Sequence, residues 1–306
     1  MSREALLGLL VLLTASLPSC NAAEPTTRDA APATRPPETP KPFDEAAWTR
    51  QMAAACNKVV ATEKAKRPAD FTVAAEPPFV VVSNLSATQT AYFRRHTIAA
   101  AQKALWATYF QKRPTAVTYI YLFKDAATYR RYAAEWFGDR EVPHFGYFRR
   151  ADRVMVMNIA TGGGTLVHEM VHALIAPDFP DVPDWFNEGL ASLYEQCSIR
   201  GDRITGHVNW RLPGLQRAIA AKTLRPLREL MTADDFYRHQ TGLNYAQARY
   251  LCQYLQHTGK LVAYYRTFRD THKTDQWGVT SLEKVTGQTL TDLEKAYLKW
   301  VTALRR

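Results

Sequence analysis

The chain has 306 residues, 46% of them hydrophobic, which suffices for one large core or two closely packed lobes and excludes a small stapled scaffold. Only 22% are charged, which excludes a disordered polyelectrolyte for the bulk of the chain. The formal net charge of +10 admits an anionic neighbour, but the basic residues are scattered and run no longer than pairs such as Arg94-Arg95 and Arg149-Arg150, so nucleic acid is not expected as a partner.

At the start, Arg3 precedes an apolar run from Leu6 to Leu17 that is too short for a comfortable membrane span. Leu17-Pro18-Ser19-Cys20 then resembles a bacterial lipobox, with Cys20 as the residue that would carry lipid. Residues 1–20 therefore read as a signal peptide; ordinary cleavage after Ala22 or Ala23 is the alternative. Residue 21 is asparagine, so the aspartate that retains lipoproteins at the inner membrane is missing and an outer-membrane anchor facing the periplasm is expected. Residues 21–42 are a Pro/Ala/Thr linker. The folded domain is expected over 43–306, with an α/β lobe at 43–176 and a mostly helical lobe at 177–306.

Residues 44–66 read as a helix and Phe79 to Ser83 as a strand. Thr88 to Phe110 reads as one long helix, and Val117 to Phe123, β-branched and aromatic, as a strand. Asp125 is expected to cap a helix that Gly138 ends. Gly146 to Arg149 and Arg153 to Asn158 read as two strands joined by Arg150-Ala151-Asp152. A helix follows the Gly162–Gly164 run, which lacks the Lys-Ser/Thr ending of a phosphate loop and reads as a flexible entry. Asp184 is expected to cap the next helix, lasting to about Gln196, with a small hairpin at Gly201-Asp202 after it. The remainder is read as helices near 213–222, 226–231, 244–257, 260–270 and 290–303. The class is α+β: a mixed sheet, a central buried helix and a helical C-terminal lobe.

That central helix contains His168-Glu169-Met170-Val171-His172. One turn apart on one face, two imidazoles can share a zinc ion. Glu188, sixteen residues after His172 within Trp185-Phe186-Asn187-Glu188-Gly189-Leu190-Ala191, offers a third ligand, with Gly189 and Ala191 small enough for close approach to the histidine helix. Three protein ligands and one open position make a catalytic zinc, whose bound water has a pKa of about 7. Glu169 is offset from His168 by about 100° around the helix and is placed to take that water's proton rather than to ligate. The bland alternative is a buried helix whose histidines are bonded to backbone or carboxylates. His144, His207, His257 and His272 lack partner spacing and read as surface or core residues, and Trp185 and Phe186 as packing beneath the site.

Beyond Cys20, Cys56, Cys197 and Cys252 allow one disulfide and one buried thiol in an oxidising compartment. Spacing leaves the pairing open, with Cys56–Cys197 preferred, and without a CxxC pattern a cysteine-bound zinc is not expected.

The pair His-Glu-x-x-His and Asn-Glu-Gly-Leu-Ala resembles the gluzincin metallopeptidases of the peptidase MA-like superfamily, most closely over residues 146–196. Asn244-Tyr245-Ala246-Gln247-Ala248 resembles the helical segment after the zinc site in bacterial members. The resemblance implies a zincin-like fold, zinc on His168, His172 and Glu188, Glu169 as general base, and a substrate backbone along an edge strand, expected at Val154 to Asn158. It also implies an oxyanion donor from the C-terminal helices, for which Tyr245 is preferred and His239 is the rival. Two departures matter. Val154 to Asn158 lacks the glutamate that holds a free amine in the aminopeptidases, which favours an endopeptidase. Ser192 stands where thermolysin-type members carry a histidine-orienting aspartate, so another acceptor must orient His168. The expectation is an exported zinc endopeptidase acting on a peptide or protein substrate. A non-catalytic envelope-binding or assembly protein on the same scaffold is the alternative, and a hydrolase of a cell-wall amide is a third reading.

Overall fold

The computed structural model of this protein describes residues 43–305, so the signal segment, Cys20 and the linker at 21–42 lie outside the described residues. The sheet sets the frame. Its five strands are β1 (Thr72–Glu76), β2 (Phe79–Ser83), β3 (Thr118–Phe123), β4 (Gly146–Arg149) and β5 (Val154–Asn158), in the order β1-β2-β3-β5-β4. β2, β3 and β5 run parallel, while β1 and β4 pair antiparallel at the two ends, so the sheet is mixed. The parallel strands are apolar at nearly every position because both of their faces are covered.

Alternation along those strands separates two cores. Val80, Val82, Tyr121, Phe123, Val154 and Val156 join the outer core, against α1 (Glu45–Lys66) and α4 (Ala126–Phe137). Phe79, Val81, Ile120, Leu122, Met155 and Met157 join the inner core, on the side of α3 (Ala100–Thr108) and α5 (Gly164–Ile175). Each such side chain stabilises the fold by about 1.5–3 kcal/mol. α4 begins and ends as expected: Asp125 accepts from the Thr128 N–H at 2.7 Å, and Gly138 closes the helix at φ 75°.

The C-terminal lobe builds on the inner core. It contains α6 (Asp184–Leu193), a hairpin of β6 (Cys197–Arg200) and β7 (Arg203–Gly206), α7 (Leu212–Ala220), α8 (Leu227–Thr232), α9 (Thr241–His257), α10 (Leu261–Thr271), α11 (Val279–Thr286) and α12 (Leu290–Ala303). The described residues from Asp44 onward form a single unit, and the class is α+β.

Several expectations need correction. Val154 to Asn158 is not an edge strand: β5 lies between β3 and β4, and β4 forms the edge. The expected long helix is present as one continuous run, but it widens into a π-helical turn at Arg94–Ala99 between α2 (Ala87–Phe93) and α3, and it ends at Thr108. β1 and α11 add to the expected elements: Thr72-Val73-Ala74-Ala75-Glu76 is rich in alanine, and α11 is short and rich in β-branched residues, so neither has a strong local signal. Asp184 is the first residue of α6 rather than its cap; Pro183 takes the cap position and its carbonyl accepts from Phe186 and Asn187. Cys56, Cys197 and Cys252 are free thiols, so the Cys56–Cys197 disulfide is absent. Cys56 is buried in the outer core and Cys197 packs on the inner one. Gly189 does permit a close approach, but of α9: a Cβ there would lie 2.9 Å from the Ala248 carbonyl and 3.1 Å from Cys252 Sγ.

Candidate metal centre

α5 is buried along most of its length, with Leu166, Met170, Val171 and Leu174 in the inner core. Its start is set by close packing: a Cβ on Gly164 would overlap the Glu195 carbonyl. The triple glycine is thus less a flexible entry than a seat for the chain that follows α6. From this fixed helix His168 and His172 project together, each 8% exposed, and their Nε2 atoms lie 3.0 Å apart. α6 brings Glu188 Oε2 to 3.3 Å from His168 Nε2 and 3.5 Å from His172 Nε2.

Three ligand atoms each about 2.0–2.2 Å from a tetrahedral zinc would be separated by roughly 3.3 Å. The observed triangle of 3.0, 3.3 and 3.5 Å has that size. Glu188 Oε2 is moreover buried without a hydrogen-bond partner. Three acceptor-capable atoms crowded together in a buried place are costly, and a cation held by all three would offset that cost. The donor set, two imidazoles and a carboxylate, fits zinc. The Glu169 carboxylate also lies within 4.8 Å of both histidines and is buried, but Glu188 is the nearer carboxylate.

A second ring of groups aims the first. His172 Nδ1 is 2.9 Å from Asn187 Oδ1, an acceptor that requires the proton on Nδ1 and leaves the Nε2 lone pair facing the triangle. His168 Nδ1 faces Glu195 Oε1 at 3.4 Å, within ion-pair distance but outside a formed hydrogen bond. Glu195 is itself held by Arg211, from Nη2 at 2.9 Å and Nε at 3.2 Å, and by Asn209 Nδ2 at 3.2 Å. The carboxylate beside the outer nitrogen of His168 is therefore Glu195, just beyond the end of α6, and not a group at Ser192. Sequence inspection missed it because the motif places this carboxylate inside the helix; the available signal was an acid two turns after Glu188. Tyr237, also missed, donates from its hydroxyl to Glu188 Oε1 at 2.8 Å.

Charges in the site are tightly coupled. Burial works against an imidazolium at His168, but Glu188 and Glu195 outweigh it and hold the ring up to about 10. Burial likewise opposes charge on Glu188, yet His168 and His172 keep its carboxyl well below the usual range. Glu169 differs: burial raises its carboxyl above the ordinary value despite the two histidines. Burial, followed by the charge of Glu188, pushes the Tyr245 phenol up, so Tyr245 stays a hydrogen-bond donor.

Two cavities meet at this point. One, of about 1020 Å³, is lined by Val167, Ile199, Phe145 and Trp210, the last two 49% and 50% exposed. The other, of about 430 Å³, is lined by Tyr147, Phe148 and Arg150 on one side and by Asp184 and Tyr237 on the other. Gly146, His168, Glu169 and Tyr245 line both. β4 borders this cleft with its free edge. The Asn158 N–H donates to the Phe145 carbonyl at 2.9 Å, so Phe145, Tyr147 and Arg149 pair inward with β5. The backbone groups of Gly146 and Phe148 then face the open side.

Of the residues singled out in sequence, the structure brings His168, Glu169, His172, Glu188 and Tyr245 together. His239 is exposed and lines neither cavity. No family model matches the chain, and no curated protein matches it.

Proposed function

We propose that this chain is a zinc-dependent peptidase of the gluzincin type with a zincin-like arrangement of sheet, histidine helix and helical lobe, and that it cleaves within peptide chains. The observation that carries the reading is the buried triangle of His168 Nε2, His172 Nε2 and Glu188 Oε2, with sides of 3.0, 3.3 and 3.5 Å. Those three side chains would hold the ion. Zinc, when bound, supplies a Lewis acid for a water and for an amide carbonyl.

The chain's own groups divide the remaining work. Glu169 takes the proton of the attacking water and returns it to the departing amine; a carboxyl raised by burial is better matched to that exchange at neutral pH. Tyr245 donates a hydrogen bond to the carbonyl oxygen as charge develops there. An extended substrate pairs with Gly146 and Phe148 on β4, with its side chains reaching into the two cavities. β4 carries no carboxylate to fix a free amine, which favours internal cleavage. The Cys20 motif supports export and a lipid anchor at the outer membrane, facing the periplasm, with 21–42 as the tether.

The test is cleavage of a diverse peptide library by the purified protein and by Glu169→Gln. Cuts within peptides by the parent, abolished in the variant while its zinc content is unchanged, support the proposal. A parent that cuts nothing while holding zinc, or a variant as active as the parent, contradicts it.

A further inference from the structure

We infer that Arg249 is a positioning residue for the metal centre, clamping together the two chain segments that hold Glu195 against His168. The inference rests on the metal reading of the site.

Arg249 lies on α9 and is fully buried. Its Nε donates to the Ser192 carbonyl at 3.0 Å and its Nη2 to the Leu193 carbonyl at 3.4 Å, at the end of α6 and just before Glu195. Nη2 also donates to the His207 carbonyl, and Nη1 to Gln253 Oε1 at 2.9 Å. His207 begins the loop that carries Asn209 and Arg211, the two donors on the Glu195 carboxylate. One planar guanidinium thus spans the segment bearing Glu195 and the segment bearing its partners, a geometry that its fork of donors allows and a single ammonium does not.

Neighbouring residues of α9 extend the grip. Tyr250 Oη accepts from the Asn209 N–H at 3.1 Å, and the Gln256 side chain bonds both the N–H and the carbonyl of Gly206, each at 2.9 Å. The same helix presents Tyr245 to the cleft. Among the described residues no carboxylate comes within ion-pair distance of Arg249; burial opposes its charge, and Tyr250 and the more distant Glu195 offset that only in part. A buried cation bonded only to neutral acceptors is an expensive way to fill space, and an apolar side chain would fill it at lower cost. What an apolar side chain cannot do is fix two carbonyl-bearing segments in register. Glu195 needs that register, because a carboxylate that orients a metal-binding histidine acts only at a fixed distance and angle.

The experiment measures zinc affinity by chelator competition, together with the melting temperature of the metal-free protein. It compares the parent, Glu195→Gln, Arg249→Lys, Arg249→Met and the double variant Glu195→Gln/Arg249→Lys. Glu195→Gln should weaken zinc binding by about 10–100-fold. Arg249→Lys should weaken it about tenfold while the metal-free protein still melts cooperatively, and the double variant should bind no more weakly than Glu195→Gln alone, because both changes act through one contact. Lysine keeps the charge and most of the volume, so it carries the test if Arg249→Met does not fold. Zinc affinity of Arg249→Lys within about twofold of the parent overturns the inference. So do fully additive losses in the double variant, or an Arg249→Lys protein that is unfolded without metal, since either makes Arg249 structural only. A parent that binds no zinc instead removes the proposed function, and this inference with it.

Discussion

Two buried polar clusters sit on opposite sides of the same sheet, and they are built differently. On the outer side Glu63 Oε2 accepts from the Tyr121 hydroxyl at 2.9 Å and from Arg67 Nε at 2.8 Å, and Arg67 also reaches the tyrosine. Acid, base and hydroxyl satisfy one another. On the inner side His168, His172 and Glu188 crowd three acceptor-capable atoms into one triangle, and Glu188 Oε2 has no hydrogen bond. The same chain completes a buried network in one place and leaves one open in the other. A cluster of crowded acceptor-capable atoms, ringed by groups that orient it, leaves room for a cation; a cluster that closes on itself serves as a brace.

The contrast can be broken most sharply at Glu169. Glu169→Gln should lower kcat/KM for a cleaved peptide by about 10²–10⁴-fold with zinc content unchanged, because the substitution removes the proton acceptor and leaves the triangle intact. Steady-state kinetics beside metal analysis checks it.

Asp178 is a second self-satisfied cluster and should behave as a brace. It accepts from the Gln111 and Lys112 N–H groups at 3.0 and 2.9 Å, from the Tyr265 hydroxyl at 2.7 Å and from Arg269 Nη1 at 3.0 Å. Burial opposes its charge, but these partners hold its carboxyl below the ordinary value. A lowered folded pKa means the contribution is complete above the unfolded value of about 3.9 and drains away as pH falls through the lower folded one. Asp178→Asn should cost about 2–4 kcal/mol at pH 7, and its stability should fall less steeply than the parent's below about pH 4, as measured by urea unfolding across that range. Zinc affinity should not change.

Zinc itself should stabilise only through the open cluster. At a free concentration about one hundred times its Kd it should add about 2.7 kcal/mol to the metal-free protein, and a thermal or urea titration reads the gain. That gain should vanish in Glu188→Ala and persist in Glu63→Gln. The smallest effect belongs to Glu63→Gln on its own, about 1–3 kcal/mol of stability from weakened bonds to Tyr121 and Arg67, with peptide cleavage unaltered.

Much of this was legible in the residues, for identifiable reasons. The histidine pair, Glu169 and Glu188 could be placed because helical spacing turns a short motif into a face. Asp125 and Gly138 bound α4 because capping and left-handed geometry are local properties. What failed was relational. The hairpin β4–β5 was visible, but which of its strands lay at the edge depended on pairing with β3. The uninterrupted apolar run Val154 to Met157, beside the more polar Gly146 to Arg149, was the signal for an interior strand. Glu195 and Tyr237 lie outside regular helices, on segments whose placement is set by α9 and by the packing of the C-terminal lobe, so no local period points to them.

X-ray absorption at the zinc edge on the purified protein, with metal stoichiometry from the same sample, reads the triangle itself. One zinc per chain is expected, in a shell of nitrogen and oxygen atoms at about 2.0–2.2 Å, with two imidazole scattering patterns and no sulfur. That shell should be lost in Glu188→Ala. A protein without stoichiometric zinc, or with sulfur in the shell, would contradict the zinc assignment.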